Sequence, residues 1–125
     1  FEKKDVNMLM DKPVKVPKPW GYELWLANNL ENDYCGKILH VNPGSKFSMH
    51  FHVDKHETFY ILKGVCKLKR IDTSTAAEYS VNMSAGDVIE IPKHTPHQIE
   101  ALSEVDIIEI STYHRDTDSY RVWID

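Results

Sequence analysis

Seven histidines stand in 125 residues, four of them between His40 and His56, and that crowding marks where chemistry can occur. The run Gly44-x5-His50-x-His52-x4-Glu57-x6-Gly64 holds two of them with a carboxylate and two glycines at defined spacing. In a strand, residues two apart share a face, so His50 and His52 can present both imidazoles to one point. Two such nitrogens make half a metal site. Glu57 lies beyond the short connection 53–56 and starts the next strand, where antiparallel pairing can bring its carboxylate alongside the histidine pair. Gly44 and Gly64 fall where turns must form, and glycine tolerates a positive φ there. The plain alternative, a polar pair on a surface strand, explains neither the Glu nor the two glycines.

A second run, Gly86-x5-Pro92-x4-His97, places a strand at 87–91, a stop at Pro92, a tight turn at 93–96 and His97 at the head of the following strand. Three imidazoles and one carboxylate suit Fe(II), Mn(II), Ni(II), Co(II) or Zn(II), so one divalent transition-metal ion is the expected cofactor.

Short strands must position these side chains. Residues 1–19 are polar, with Pro13, Pro17 and Pro19 interleaved with Lys12, Lys15 and Lys18, which favours an extended N-terminal arm, either an edge strand or an arm on a partner subunit. Residues 20–125 form the single domain. From residue 20 the pattern has period two, with Tyr22, Leu24 and Leu26 on one face and Glu23 and Trp25 on the other. Asn28, Asn29, Asn32 and Asp33 then make a turn. Further short apolar runs span 37–41, 46–52, 57–71, 78–83, 87–91, 97–101 and 105–112. Strands at this spacing predict an all-β antiparallel sandwich or barrel. A helical pattern shows only weakly, over 2–10.

Composition narrows the function. The chain is 42% hydrophobic and 27% charged, enough to bury a core, and its length fits one domain of roughly 100 to 200 residues. Lys and Arg number 15 against 19 Asp and Glu, a formal charge of −4, the wrong sign for a general nucleic-acid or anionic-membrane binder. No apolar run approaches the roughly 18 residues of a membrane span, and no signal segment opens the chain. Cys35 and Cys66 lie in no zinc or redox spacing, so reduced buried thiols in a cytoplasmic protein are expected.

Together the two motifs resemble the cupin superfamily, whose spacings are Gly-x5-His-x-His-x3–4-Glu-x6-Gly and Gly-x5-Pro-x-Gly-x2-His-x3-Asn. The first is matched in full; in the second, His94 replaces the Gly and Ala101 the Asn. The resemblance covers residues 37–112 and implies a jelly-roll β-barrel, the double-stranded β-helix, with a mononuclear metal held by His50, His52, Glu57 and His97. Lys18-Pro-Trp-Gly-Tyr-Glu23 is similar to the Arg-Pro-Trp-Gly segment of type II phosphomannose isomerase cupin domains. The stretch from Ile108-Glu109 to Asp118-Ser-Tyr-Arg121 is similar to their closing Ile-Glu and Asp-x-x-Arg. Met49-His-Phe-His52 with Lys55 and Glu57 resembles instead the ligand segment of the D-lyxose isomerases, which are manganese cupins. Two departures stand: the phosphomannose enzymes space His and Glu more tightly, and they are usually fused to a nucleotidyltransferase that these residues do not contain.

These resemblances imply an isomerase or epimerase acting on a sugar or sugar phosphate, in which a metal polarises oxygens and a base moves a proton between C1 and C2. That base must not be a ligand. Glu109, sharing a strand face with Ile107 and Ser111, is the candidate, with Glu90 second; each has an alternative as a solvent-facing carboxylate, because strand parity is open. Lys55, His56 and His94 fall near the barrel mouth and Arg121 near the end, as candidate contacts to substrate hydroxyls or phosphate, with surface solvation or a terminal salt bridge as the alternative. The same four ligands also hold Fe(II) for dioxygenase or lyase chemistry on a small organic acid. A third class is a non-catalytic small-molecule-binding module. By resemblance the expected assembly is a homodimer.

Overall fold

In the computed structural model, which describes residues 10–122, the alternating segments pack as two antiparallel sheets. One has six strands: β1 (Val14–Lys18), β2 (Gly21–Asn29), β3 (Tyr34–Val41), β10 (Val105–Ser111), β5 (Glu57–Lys63) and β8 (Val88–Ile91), in that spatial order. The other has five: β11 (Tyr120–Arg121), β4 (His50–Phe51), β9 (His97–Ala101), β6 (Val65–Ile71) and β7 (Glu78–Ser84). The chain crosses between the sheets almost strand by strand, the connectivity of a jelly roll. Among the described residues, helix is confined to one 3₁₀ turn, Asp116–Asp118. None is long and apolar enough to cross a membrane. Both cysteines are buried free thiols.

The first nine residues of the arm, and nearly all of the weak helical pattern over 2–10, lie outside the described residues. Residues 14–18 pair with β2 at the edge of the six-stranded sheet.

Two expected runs break. The run 57–71 divides at Gly64, where φ is 90° and the chain leaves one sheet for the other. A Cβ at Gly64 would sit 2.0 Å from the Glu104 carbonyl oxygen, so only glycine turns this corner. The run 46–52 shrinks to His50–Phe51. Upstream, among the described residues, it meets β9 through an isolated bridge from Lys46 to Glu100, the Phe47 N–H on the Ile99 carbonyl and the Phe47 ring against His97, so its alternation is strand-like while its ladder is interrupted.

The inward face changes character along β3, β5, β9 and β10. Val41 and Leu39 on β3, Ile61 and Phe59 on β5, Ala101 and Ile99 on β9, and Val105 and Ile107 on β10 fill one half of the barrel with close-packed hydrocarbon. Further along the same strands the inward residues become Lys37, Glu57, His97 and Glu109, all buried. Burying ions without partners is costly, so this polar half must be internally paired or complete a site. The apolar half supplies the rigid frame that holds it.

Candidate functional site

Strand register brings the histidines together. His50 on β4 lies directly opposite His97 on β9, and their ring centroids are 4.6 Å apart. His52, two residues on, turns to the same point, and one nitrogen from each of His50, His52 and His97 lies within 4.8 Å of the others. Glu57 enters from the facing sheet: its Oε2 is 3.3 Å from His52 Nε2 and 3.1 Å from His97 Nε2.

Each ring is oriented by a backbone carbonyl. The Nδ1–H groups of His50, His52 and His97 donate to Ser48 O at 2.7 Å, Asp118 O at 2.8 Å and Thr95 O at 2.9 Å. A carbonyl can only accept, so Nδ1 carries the proton and a neutral ring turns the lone pair of Nε2 inward. Burial and the neighbouring His97 push the His50 pKa down to about 3, so this ring is neutral at ordinary pH. Burial pushes the Glu57 carboxyl up, but His52, His97 and Lys55 outweigh it and hold the group well below the usual carboxylate range. The carboxylate oxygen therefore stands 3.3 Å and 3.1 Å from Nε2 of His52 and His97, contacts that a proton or a metal cation must bridge. Glu57 Oε2 and His97 Nε2 are buried without a hydrogen-bond partner, and two acceptors in contact need a cation between them. The four donors fit a divalent transition metal.

The sequence over residues 37–113 matches the family model described as the cupin domain. The chain is a cupin. No curated protein matches its sequence, whereas solved structures resemble it closely in shape. The capsular polysaccharide assembling protein CapF from Staphylococcus aureus superposes with a TM-score of 0.77 at 17% identity, over 95% of this chain and 35% of that one. Oxalate decarboxylase from Bacillus subtilis gives 0.75 at 15% identity, over 92% and 33%. A further structure of that decarboxylase, described for its Mn(II) centers, gives 0.73 at 12%, again over 92% and 33%. This cupin thus spans about a third of those chains, and at these identities the likeness is one of fold. These neighbours are not phosphomannose or lyxose isomerases, so the narrower resemblance rests on the residues that carry it.

The cupin cavity is about 490 Å³, in the range of roughly 300–1,000 Å³ that takes a small molecule. Lys55 is 3% exposed rather than solvated at the mouth. Its Nζ lies 2.5 Å from Glu109 Oε2 and 3.7 Å from Glu57 Oε1, and it donates to His114 Nδ1 at 3.1 Å. Burial pushes the ammonium towards losing its proton, but Glu109 and Glu57 outweigh this and raise its pKa above the usual lysine value. Glu109 faces the lumen and also accepts from Ser111 Oγ at 3.0 Å. Since the Lys55 ammonium donates to Nδ1, His114 donates from Nε2 to Asp116 Oδ1 at 2.8 Å, and a hydrogen-bonded chain runs from exposed Asp116 to buried Glu109.

Arg121 lines the cavity mouth, where it lies opposite His50 in the β11–β4 pair. Three other candidates are not brought to the cavity. Glu90 points outward from β8 and pairs with His56 at 2.5 Å, with the two side chains 62% and 44% exposed. Parity explains Glu90: its neighbour Ile91 takes the inward position opposite Glu57. His94 is exposed in the 93–96 turn. Its φ of 65° is the left-handed conformation that glycine adopts most easily, and its N–H donates to the His52 carbonyl at 2.7 Å. That position serves the turn.

Sequence reasoning missed several lining residues. Lys37 is 1% exposed, 3.1 Å from Glu23 Oε1 and over the Trp25 ring; Trp25 Nε1–H donates to the same Glu23 oxygen at 2.8 Å. The signal was present in the alternation that put Glu23 and Trp25 on one face. Trp20 and Phe47, in edge contact at 5.8 Å, line the cavity.

Proposed function

We propose that this cupin is a metal-dependent isomerase or epimerase of a sugar or sugar phosphate. The observation that carries the reading is the buried Lys55–Glu109 pair, which shares a cavity with the three imidazoles and Glu57. His50, His52, His97 and Glu57 would hold the ion. Bound there, a divalent ion supplies Lewis-acid polarisation of the substrate's carbonyl and hydroxyl oxygens. Glu109 takes the proton from the carbon bearing the hydroxyl and returns it to the neighbouring carbon, while the hydroxyl proton passes to the former carbonyl oxygen. Its two hydrogen bonds fall on Oε2, and Oε1 is the oxygen assigned to proton transfer. Lys55 keeps its proton and stabilises the negative charge that develops on substrate oxygen. Trp20 and Phe47 offer an apolar wall to the C–H face of a sugar.

The cavity lining holds five cationic side chains, Lys18, Lys37, Lys46, Lys55 and Arg121, against four carboxylates, Glu23, Glu57, Glu109 and Asp116. With a divalent ion the excess is positive, in a chain of net charge −4, which favours an anionic substrate. Arg121, which lines the cavity, would take a phosphate bidentately.

Protein loaded anaerobically with Mn(II) should exchange the C2 proton of a cognate aldose or aldose phosphate with solvent deuterium, read by proton NMR. His97→Ala should lose most of the metal by elemental analysis, and the exchange with it. Oxygen consumption by the Fe(II) form with a small organic acid, alongside no exchange for any sugar under any metal, would replace this reading with dioxygenase or lyase chemistry.

We propose that the protein works as a homodimer paired through the outer face of its six-stranded sheet. Leu24, Ile38, Ile108, Tyr60 and Val88 stand in register across five adjacent strands and make an apolar row on that face. Tyr60 and Val88 are 36% and 63% exposed, and a row of this kind is relieved by burial against its own symmetry mate. Sedimentation should give a dimer that Ile108→Lys converts to monomer with unchanged circular dichroism. A wild-type monomer at tens of micromolar would refute the pairing.

A further inference from the structure

We infer that Asp118 is a positioning residue for the metal centre, holding the His52 ring with its carbonyl and the 53–55 loop with its carboxylate. The inference rests on the proposed metal site. It concerns how this chain presents one donor of that site.

The three histidines are not supported alike. His50 and His97 each donate Nδ1–H to a carbonyl two residues earlier in their own segments, Ser48 and Thr95. His52 donates to Asp118, 66 residues away. Two of the rings are therefore oriented by local backbone, and the third only when a remote segment is in place.

The Asp118 side chain, 5% exposed, secures that segment. Its Oδ1 accepts the Val53 N–H at 2.9 Å and the Asp54 N–H at 3.2 Å, and its Oδ2 accepts Asp54 N–H at 3.2 Å and Lys55 N–H at 3.1 Å. Three successive backbone N–H groups converging on one point make an anion cradle, and this chain fills it with its own carboxylate. The cradle lies between His52 and Glu57 and carries Lys55. One residue thereby fixes the ring of one donor and the loop leading to the other. The segment around it is anchored on the same side: Tyr120 and Arg121 pair with Phe51 and His50, and the Val122 N–H donates to the Met49 carbonyl at 2.9 Å.

Asp118→Asn keeps the size and the backbone carbonyl but removes the charge and turns an amide NH₂ towards N–H donors. Nitrogen-15 NMR of the imidazoles in the full chain, with Zn(II) as the probe ion, tests its effect. In the wild type all three rings should read as Nδ1–H tautomers, and the Nδ1 proton of His52 should exchange slowly. In Asp118→Asn the His52 signal should lose that signature while His50 and His97 keep theirs, and Zn(II) affinity, measured against a competing chelator, should weaken about 10- to 100-fold.

An unchanged His52 tautomer with unchanged Zn(II) affinity overturns the inference and leaves the metal site standing. Loss of the signature at all three histidines, with a collapsed melting transition, also overturns it, since that is a general structural role. A wild-type protein that takes up no ion overturns the metal reading instead, and the tautomer comparison in ion-free protein still judges Asp118. If Asp118→Asn does not fold, the wild type decides: a rapidly exchanging His52 Nδ1 proton refutes the hydrogen bond on which the inference stands.

Discussion

Glu109→Gln should lower sugar turnover about 10²- to 10⁴-fold, the usual contribution of a positioned acid–base group, while leaving metal content unchanged. The amide has nearly the shape of the carboxylate and removes its proton-accepting basicity, and the four metal donors are untouched. The structure adds a cost that the sequence alone does not show. Glu109 is the nearest counter-charge of a buried ammonium, at 2.5 Å. The variant should therefore lose on the order of 1–3 kcal/mol of stability, limited because the amide oxygen still accepts from Lys55 and Glu57 Oε1 remains 3.7 Å away. Turnover and urea unfolding measured on one preparation separate the two effects. Full turnover in Glu109→Gln would remove it from the proton-transfer role.

Lys55→Met should be strongly destabilising, costing about 3–5 kcal/mol, because breaking a buried ion pair from one side leaves the other charge uncompensated. Here two carboxylates lose the same cation, Glu109 at 2.5 Å and Glu57 at 3.7 Å. The double variant Lys55→Met with Glu109→Gln should recover part of that loss, since one orphaned charge is then gone. Chemical denaturation of the four proteins gives the coupling directly. Strictly additive losses would mean that the pair is not coupled, and Lys55 would then owe its burial to Glu57, His114 and the packing of its hydrocarbon stem.

What the sequence revealed depended on whether spacing or parity carried the information. The histidine pair, Glu57 and His97 were legible because their separations encode strand faces and turns, which hold whatever surrounds them. The splitting of 57–71 was not, since a period-two pattern continues unbroken through a corner, and only Gly64 hinted at it. Lys55 sits in an irregular loop with no period to place it, and a lysine is by default a surface residue. Glu90 and Glu109 are equally plausible by composition; parity turns Glu90 outward beside inward Ile91 and turns Glu109 to the lumen with Ile107 and Ser111. Asp118 could be noticed as part of a closing Asp-x-x-Arg. Its bonds to the 53–55 loop, 63 to 65 residues away, are visible only in the folded chain.

The hydrogen bond from His52 to Asp118 also sets an order on biosynthesis. A ribosome adds about 5–20 residues per second, so all four donors emerge before Asp118, and His97 precedes it by an interval on the order of seconds. Until then the nascent barrel offers three imidazoles of which one has no carbonyl to aim it. An ion captured in that window meets an unfinished set of donors. A chain ending just short of residue 118 would carry all four proposed donors and still leave the His52 ring without the carbonyl that aims it.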